Sequence, residues 1–282
     1  MPEQLTMSLE GETVVITGGS GVLGTSMAEA LFQAGAQVAI IGRKAEKAEA
    51  KAAEIDPQQK RCLGFGADVL NKNQLEAVRE TIAENLGACT ILINGAGGNH
   101  PKASTSKERF EDGDLEKKDV QSFFDLEENA VNELFQLNFT GTLLPTQVFG
   151  QDLIKNKGSI INISSMNADR PLTKIPAYSG AKAAVSNLTQ WLAVHFAPVG
   201  VRANAISPGF FLTDQNRSLL LNEDGTYTER ANKIINQTPE ARFGEPEDLT
   251  GTLLWLCSKK ASGFVNGVII PVDGGFSAYS GV

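Results

Sequence analysis

Tyr178 and Lys182 carry the side chains whose types and spacing best suit chemistry. They lie four residues apart, so on a helix the phenol and the ammonium share one face of neighbouring turns, a spacing that surface helices also contain by chance. A free tyrosine has a pKa near ~10, and a nearby cation favours phenolate and lowers that pKa. The pair therefore predicts proton transfer to or from a ligand. Ser165, thirteen positions before Tyr178 at the end of a predicted strand, is a candidate hydrogen-bond donor.

A glycine-rich turn joins a strand to a helix near the N-terminus. Residues 14–24, VVITGGSGVLG, end an apolar run and precede a helical pattern. Glycine lets the backbone approach a pyrophosphate, and the N–H groups of a helix N-terminus stabilise the anion. The turn predicts dinucleotide binding, although a plain strand-to-helix connection remains the alternative. The predicted contacts are Gly18, Ser20, Gly21, Val22, Leu23 and Gly24.

The residues after the second and third predicted strands bear on the choice of dinucleotide. Gly42 stands where an acidic side chain would bind both hydroxyls of an adenosine ribose, and Arg43 and Lys44 follow it. Because a guanidinium pairs with phosphate in fork geometry, we predict a preference for NADP(H), with NAD(H) as the alternative. Both cations could instead begin a solvated helix. Asp68 and Val69 are placed to contact adenine, unless Asp68 caps the next helix.

These motifs lie in a chain that alternates short β-rich runs with long amphipathic segments. Near-continuous apolar strands separated by helices predict an α/β fold, a doubly wound parallel sheet of about seven strands with helices on both faces. We expect one domain over residues 1–282, with ligands at the carboxyl ends of the strands. The predicted strands lie near 13–17, 37–41, 61–66, 90–94, 158–165, 201–207 and 267–272, and the helices near 22–34, 44–55, 71–86, 128–156, 176–197 and 246–258.

Two polar segments, 98–127 and 210–245, interrupt this alternation where strands end. A structureless loop as long as the first is unusual inside a compact domain. We therefore expect part of both segments to cover the substrate, with a disordered surface insertion as the alternative for the first.

Composition disfavours several classes of protein. The net charge of −8 argues against nucleic acid or anionic membrane as the main partner. No apolar run approaches the ~18 residues that span a bilayer, and the N-terminus lacks the pattern of a signal peptide. Cys62, Cys89 and Cys257 are odd in number and far apart, which predicts buried free thiols in a cytoplasmic protein. With two histidines in the chain, no metal site is expected.

Taken together, the motifs resemble the classical short-chain dehydrogenase/reductase family over nearly the whole chain. The resemblance rests on the glycine turn, Asn94-Gly95-Ala96-Gly97, Asn138, Ser165, Tyr178, Lys182 and Pro208-Gly209. It implies a Rossmann-type fold and an NAD(P)(H)-dependent oxidoreductase that interconverts a keto group and a secondary alcohol.

The resemblance also implies roles for individual residues. Asn138, Ser165, Tyr178 and Lys182 would form the catalytic tetrad. Lys182 would also contact the nicotinamide ribose, and Asn138 would support a water that carries protons to solvent. Further cofactor contacts implied by the family are Asn94, Gly95, Ala96, Gly97, Tyr178, Pro208, Gly209, Phe211 and Thr213.

The glycine spacing departs from the classical branch. Thr-Gly-x-x-Gly-x-x-Gly is typical of the extended branch, which includes sugar-nucleotide epimerases, whereas classical members show Thr-Gly-x-x-x-Gly-x-Gly. Extended members need a sizeable substrate domain after the tyrosine helix, and here the chain ends 100 residues beyond Lys182. The run from Pro208 to Thr213 also resembles the classical branch, so we favour that branch.

A finer resemblance concerns the substrate. The glycine variant, the run Gly98-Asn99-His100-Pro101 and the run 208–217 resemble the D-mannonate oxidoreductase type, which reduces D-fructuronate. A gluconate or related sugar dehydrogenase is the alternative within oxidoreductases, and a non-catalytic dinucleotide sensor is the alternative from another class. Polar residues expected around a sugar acid are Asn99, His100, Asn167, Arg170, Lys174, Gln215, Asn216 and Arg217.

Assembly and packing complete the expectations. Related enzymes commonly form tetramers, so the family implies a homo-oligomer, a tetramer or a dimer. His195, Trp191 and Phe196 are predicted to pack at a helix interface rather than to contact substrate.

Overall fold

The computed structural model describes residues 7–213 and 217–281. In that part of the chain, seven strands form one sheet in which all neighbouring strands are parallel, in the order β3-β2-β1-β4-β5-β6-β7. The predicted α/β Rossmann-type fold is confirmed. The strands are β1 (Thr13–Thr17), β2 (Gln37–Gly42), β3 (Cys62–Gly66), β4 (Ile91–Asn94), β5 (Ser159–Ile163), β6 (Arg202–Pro208) and β7 (Ile269–Val272).

Helices cover both faces of this sheet. The described helices are α1 (Val22–Gln33), α2 (Ala45–Ile55), α3 (Lys72–Asn85), α4 (Glu128–Phe135), α5 (Gly141–Asn156), α6 (Pro176–Phe196), α7 (Arg217–Leu220), α8 (Glu229–Asn236), α9 (Thr250–Cys257) and α10 (Lys259–Ser262). No helix among the described residues is long and apolar enough to cross a membrane.

Alternating strand residues build the two layers of the core. Val14 and Ile16 pack in one apolar cluster with Leu31 of α1 and Leu253 of α9. The intervening Val15 packs in a second cluster, which includes Leu75 of α3, Phe149 of α5 and Leu192 of α6. This division follows because successive side chains of a strand point to opposite faces of the sheet. The three cysteines are free and buried, as predicted.

The strand order reverses at β1. The chain first runs outward through β2 and β3, and β4 then pairs with the other side of β1. In open parallel sheets, ligands bind at the carboxyl ends of the strands beside such a reversal. The glycine turn follows β1 and residues 95–97 follow β4, so the fold brings both motifs to this point.

The long helix predicted over 128–156 is interrupted. A π-helical turn at Gln136–Thr140 separates α4 from α5, and Asn138 lies in its middle. Single π-helical turns inside helices are frequent at functional sites. Apolar periodicity predicted one continuous helix and did not reveal the interruption.

The first polar segment, 98–127, is an ordered unit with three 3-10 turns, at Pro101–Ala103, Asp114–Glu116 and Phe123–Asp125. Asp114 is buried and accepts hydrogen bonds from Lys107 (2.8 Å) and Lys117 (3.1 Å). The Lys107 ammonium holds the pKa of the Asp114 carboxyl at about 2. The Thr105 amide donates to the Lys174 carbonyl (2.7 Å), which ties the segment to the chain before α6.

The second polar segment, 210–245, holds α7 and α8 and has its own small apolar cluster of Leu220, Ala231, Ile234 and Phe243. Its two ends meet: the Gly244 amide donates to the Phe210 carbonyl (2.9 Å), and the Leu212 amide donates to the Gly244 carbonyl (3.0 Å). Both ends are therefore fixed beside the end of β6.

Candidate active site

A cavity of about 520 Å³ opens at the carboxyl ends of the central strands. The predicted site motifs, far apart in sequence, surround this one space. The predicted residues on its wall are Gly18, Ser20, Gly21, Val22, Leu23, Gly24, Arg43, Val69, Gly95, Ala96, Gly97, Ser165, Tyr178, Lys182, Pro208, Gly209, Phe211 and Thr213.

Two glycines of the turn are required by contacts inside the protein rather than by a ligand. Gly18 has a φ of +70°, and a Cβ there would lie 2.8 Å from the amide nitrogen of Ala96. A Cβ on Gly24 would overlap the carbonyl oxygen of Gly18. A Cβ on Gly21 would have one close neighbour, the same oxygen at 3.3 Å. We expected a closely bound ligand to exclude side chains at all three glycines. Of the three, Gly21 fits that explanation best, because the protein itself leaves the most room there.

The N-terminus of α1 directs N–H groups towards the cavity. The first N–H groups of a helix have no acceptor within the helix, and Gly21, at the N-cap, makes no side-chain cap. The first turn also lacks acidic residues. Val22 and Leu23 of this turn lie on the cavity wall, so the helix terminus fits the pyrophosphate of a dinucleotide.

Two cations lie at the β2 end of the cavity, but they are not the predicted pair. Arg43 lies on the wall with Lys47, one turn into α2. Lys44, predicted as a contact, is the N-cap residue of α2 and does not line this cavity. A Cβ on Gly42 would lie 2.7 Å from the Ser20 hydroxyl oxygen, so an acidic residue at 42 requires Ser20 to move.

Asp68 and Val69 have different positions. Val69 lines the cavity, as predicted for an adenine contact. Asp68 accepts hydrogen bonds from the Leu70 amide (3.0 Å) through its carboxylate and from the Asn71 amide (2.9 Å) through its carbonyl. These bonds form the turn before α3, but the N-cap of α3 is Asn71, and Asp68 does not line this cavity, so its contact with adenine stays a prediction.

Asn94 also lies off the cavity wall. Its buried amide donates to Thr146 (3.0 Å) and to Asn162 (2.9 Å), which ties β4 to α5 and β5. The next residues, Gly95, Ala96 and Gly97, do line the cavity. Asn94 therefore positions this edge, and we correct its prediction as a direct cofactor contact.

Ser165 and Tyr178 meet on the cavity wall. Ser165 follows β5 and accepts a hydrogen bond from the Asn167 amide (3.4 Å), and its hydroxyl interacts with the Tyr178 phenol. Tyr178 is half-buried on the first turn of α6. The pair presents two hydroxyl groups to one point of the cavity, which suits a carbonyl or alkoxide oxygen.

The pKa of the Tyr178 phenol differs from the sequence prediction. Burial raises the pKa of this phenol above its ordinary value, and the bond with Ser165 offsets part of that rise. We expected the Lys182 ammonium to lower it. In the described part of the chain, that ammonium donates instead to the Ile163 carbonyl (2.8 Å) and lies 5.8 Å from the centroid of the Tyr178 ring.

Lys182 is 5% exposed, and burial lowers the pKa of its ammonium to about 8. It lies one turn beyond Tyr178 on α6, as the spacing predicted. A Cβ on Gly97 would come within 3.1 Å of its nitrogen and 2.7 Å of the Asn138 amide oxygen. A side chain at position 97 would therefore collide with Asn138 and crowd Lys182, which explains the glycine there.

Asn138 lies behind the wall rather than on it. Its amide nitrogen donates to the carbonyls of Gly98 (2.8 Å) and Leu134 (2.9 Å), and its oxygen accepts from the Gly98 amide (3.2 Å). The π-helical turn places this side chain against the backbone that follows β4. Asn138 and Lys182 both lie against Gly97 and are therefore near each other. The role of Asn138 in a proton relay stays a prediction.

The residues predicted for substrate are more scattered. Of those in the described ranges, none of Asn99, His100, Asn167, Arg170, Lys174 and Arg217 lines the cavity. His100 caps a 3-10 turn, accepting from the Lys102 amide through Nδ1 (3.2 Å), and its Nε2 lies 3.8 Å from Glu133. Gln215 and Asn216 lie outside the described residues.

Several cavity residues were not among the predicted contacts. Leu137, Phe210, Ser164, Ile163, Gly98, Gly42 and Lys47 line the cavity in addition to the predicted residues. Lys47 could have been found, because it lies four residues after Arg43 on a predicted helix. Leu137 and Phe210 could not, since an apolar residue at these positions is equally suited to the core.

Comparison with known proteins agrees with this geometry. The sequence model of a family described as short chain dehydrogenase matches residues 12–224. An uncharacterized oxidoreductase of Bacillus subtilis (strain 168) is 54% identical over 276 residues, which cover 98% of each chain.

Two solved structures are similar over nearly their whole length. A putative D-mannonate oxidoreductase from Haemophilus influenzae with bound NAD is 51% identical, with a TM-score of 0.92 over 98% of each chain. A gluconate 5-dehydrogenase from Burkholderia cenocepacia, in complex with NADP and tartrate, is 28% identical, with a TM-score of 0.81 over 96% of this chain and 97% of that one.

Proposed function

The chain belongs to the short-chain dehydrogenase family, and we propose that this nicotinamide-dependent oxidoreductase interconverts the keto and secondary-alcohol forms of a sugar acid. The proposed pair is D-fructuronate and D-mannonate. The observation that carries the proposal is that Ser165, Tyr178 and Lys182 share one cavity with the N-terminus of α1. The cavity thus combines a phosphate-binding terminus with a proton donor.

We assign the proton-transfer step to Tyr178. When bound, a nicotinamide dinucleotide would supply the hydride for the carbonyl carbon, and the carbonyl oxygen would develop alkoxide charge. Ser165 donates a hydrogen bond to that oxygen, and Tyr178 donates the proton. Both residues line the same cavity.

Lys182 and Asn138 support that step. The Lys182 ammonium is fixed by the Ile163 carbonyl and faces the Tyr178 ring, where its charge favours the phenolate left after proton transfer. Lys182 lies beside Gly97 on the cavity wall, and it would hold the nicotinamide ribose of a bound dinucleotide. Asn138 holds Gly98 and keeps this edge of the cavity in place.

For the cofactor we propose NADP(H) as the preferred form. Gly42 leaves no acid to repel a 2′-phosphate, and Arg43 and Lys47 supply two cations on the same wall. The Haemophilus influenzae relative holds NAD and the Burkholderia cenocepacia relative holds NADP, so both forms are compatible with this architecture.

The sugar-acid substrate is supported by chemistry at the other end. Arg170 and Lys174 lie on the segment between Ser165 and Tyr178, close in sequence to both hydroxyls. We propose that they bind the substrate carboxylate, with Asn99 and Arg217 as further polar candidates. A gluconate 5-dehydrogenase activity is the second candidate, favoured by the relative that binds tartrate.

The proposal extends to the whole chain. We propose that residues 1–282 act as one catalytic domain, with 98–127 and 210–245 covering the substrate. We also propose a homo-oligomer, supported by Trp191 and Val194, which are 56% and 78% exposed on α6. Static light scattering of the purified protein tests the oligomer, and a monomer would contradict it.

A substrate panel tests the proposed function. Oxidation of NADPH and NADH is followed with D-fructuronate, 5-keto-D-gluconate and a simple aliphatic ketone. We expect D-fructuronate to give the highest kcat/KM. Turnover of 5-keto-D-gluconate alone would favour the second candidate, and dinucleotide binding without turnover of any carbonyl would indicate the sensor.

A further inference from the structure

Phe210 is an aromatic residue on the wall of the candidate active site. It follows Pro208 and Gly209 at the end of β6 and lines the cavity together with Tyr178 and Ser165. Its ring also packs against the apolar cluster of α7 and α8, which includes Leu220 and Ile234. The Phe210 ring therefore contacts both the cavity and the second polar segment.

The C-terminal turn is built directly against this stretch. Asp273 accepts hydrogen bonds from the amides of Gly275 (3.0 Å) and Ser277 (2.8 Å), which fixes the turn that follows β7. The Gly209 amide donates to the Val272 carbonyl (2.9 Å), and a Cβ on Gly209 would lie 2.6 Å from Asp273. Gly209 thus allows close contact between this turn and the cavity wall.

Phe276 reaches from this turn to Phe210. The two rings meet edge to face, with centroids 5.4 Å apart and an interplanar angle of 73°. The main chain of Phe210 is held from the other direction by the Gly244 amide. The backbone is therefore fixed by β7 and Gly244, and Phe276 restrains the orientation of the ring.

We infer that Phe276 is a positioning residue for substrate specificity, which acts by holding the Phe210 ring as an apolar wall for the carbon chain of the substrate. The inference rests on the proposed function, because it takes the space beside Tyr178 and Ser165 as the substrate end. It assigns part of the substrate site to the C-terminal turn, 273–278. Phe276 does not line the cavity, and the residues expected to hold the dinucleotide phosphates lie at the N-terminus of α1, so we expect phosphate binding not to depend on Phe276.

The inference is tested by Phe276→Ala, Phe276→Leu and Phe276→Tyr in the intact chain. With NADPH and D-fructuronate, we expect Phe276→Ala to raise the substrate KM about 3- to 10-fold, the range expected for loss of one aromatic pair. Phe276→Leu should be intermediate, and Phe276→Tyr should restore the wild-type KM. The dinucleotide Kd and kcat should change less than about twofold in all three.

Phe264→Ala is the matched control, because Phe264 is a fully exposed phenylalanine twelve residues earlier. It should leave the substrate KM unchanged.

The inference is overturned if Phe276→Ala leaves that KM unchanged, or if it raises the substrate KM and the dinucleotide Kd by the same factor. If the wild-type protein reduces none of the panel, the proposed function fails and the inference fails with it. Wild-type turnover with an unchanged variant KM overturns the inference alone.

Discussion

The dinucleotide end and the substrate end of the cavity are built from different kinds of structure. The dinucleotide end consists of strand termini and the first turn of α1, where Gly18 and Gly24 pack against neighbouring backbone. The substrate end, as proposed above, is covered by 98–127, the segment before α6, and 210–245. An exposed ion pair between Glu108 and Lys233, at 3.4 Å, joins the first and the last of these segments.

This difference separates dinucleotide binding from the choice of substrate. Contacts between backbones in the core of a sheet tolerate little change, so the first end can hold the same ligand in many relatives. Surface segments accept substitutions and insertions with small losses of stability, so the second end can change substrate. The relatives above agree, since they bind NAD or NADP but carry different substrate names.

Apart from changes to Tyr178 itself, the largest effect is expected from Lys182→Met, which should lower activity but raise stability. We expect kcat to fall about 10²-fold or more, because the cation that favours phenolate is lost. The same change should stabilise the fold at pH 7 by about 1–3 kcal/mol, since burial lowers the pKa of Lys182 to about 8 from 10.5. Urea unfolding measures the second effect, and a destabilised variant would contradict it.

The pH dependence of stability tests whether buried, charged Lys182 destabilises the folded protein. Between pH 8 and 10.5 the unfolded chain binds a proton at Lys182 that the folded protein has released. Wild-type stability should therefore gain a contribution from Lys182 as the pH rises through this window. The contribution should be absent from Lys182→Met, and equal slopes in both proteins would show that Lys182 is not desolvated.

At the dinucleotide end, Arg43→Ser tests the proposed preference for NADP(H). We expect the KM for NADPH to rise about 10- to 100-fold, because a hydrogen bond to a charged phosphate is lost. The KM for NADH should change little. Lys44→Ser is the matched control, because Lys44 lies beside Arg43 but off the cavity wall. An equal effect on both cofactors would refute the assignment.

The smallest effect is expected at the substrate end, from Glu108→Gln. Exposed ion pairs contribute about 0.2–1 kcal/mol, so the substrate KM should rise less than about fivefold. Because salt screens exposed charges, the difference from wild type should shrink at high ionic strength. A large effect that persists in salt would mean that the two polar segments are coupled by more than this pair.

The sequence predicted the dinucleotide end better than the substrate end, and the reason is physical. Apolar runs and glycines report local structure, so the strands, α1 and the cavity residues after β1, β4 and β6 could be located in advance. Asp68 could be assigned two roles from the sequence, and the structure excludes one of them, because Asn71 is the N-cap of α3.

The substrate end depends on contacts between distant segments, which the sequence does not report. The pairing of Phe210 with Phe276 joins the end of β6 to the C-terminal turn. The position of Lys182 against Ile163 and Gly97 likewise depends on how α6 packs against β4 and β5. The expected fall in the pKa of Tyr178 was wrong in this structure, because burial of the phenol raises that pKa by more than the interaction with Ser165 lowers it.

The central claim is that Tyr178 supplies the proton in a cavity whose other end binds the dinucleotide without it. Stopped-flow measurement of hydride transfer in Tyr178→Phe, together with fluorescence titration of NADPH, tests this most directly. We predict a rate about 10²–10⁴-fold lower than wild type and a dinucleotide Kd within about threefold of it. A variant that retains most of the rate, or that loses NADPH binding along with it, would contradict the account.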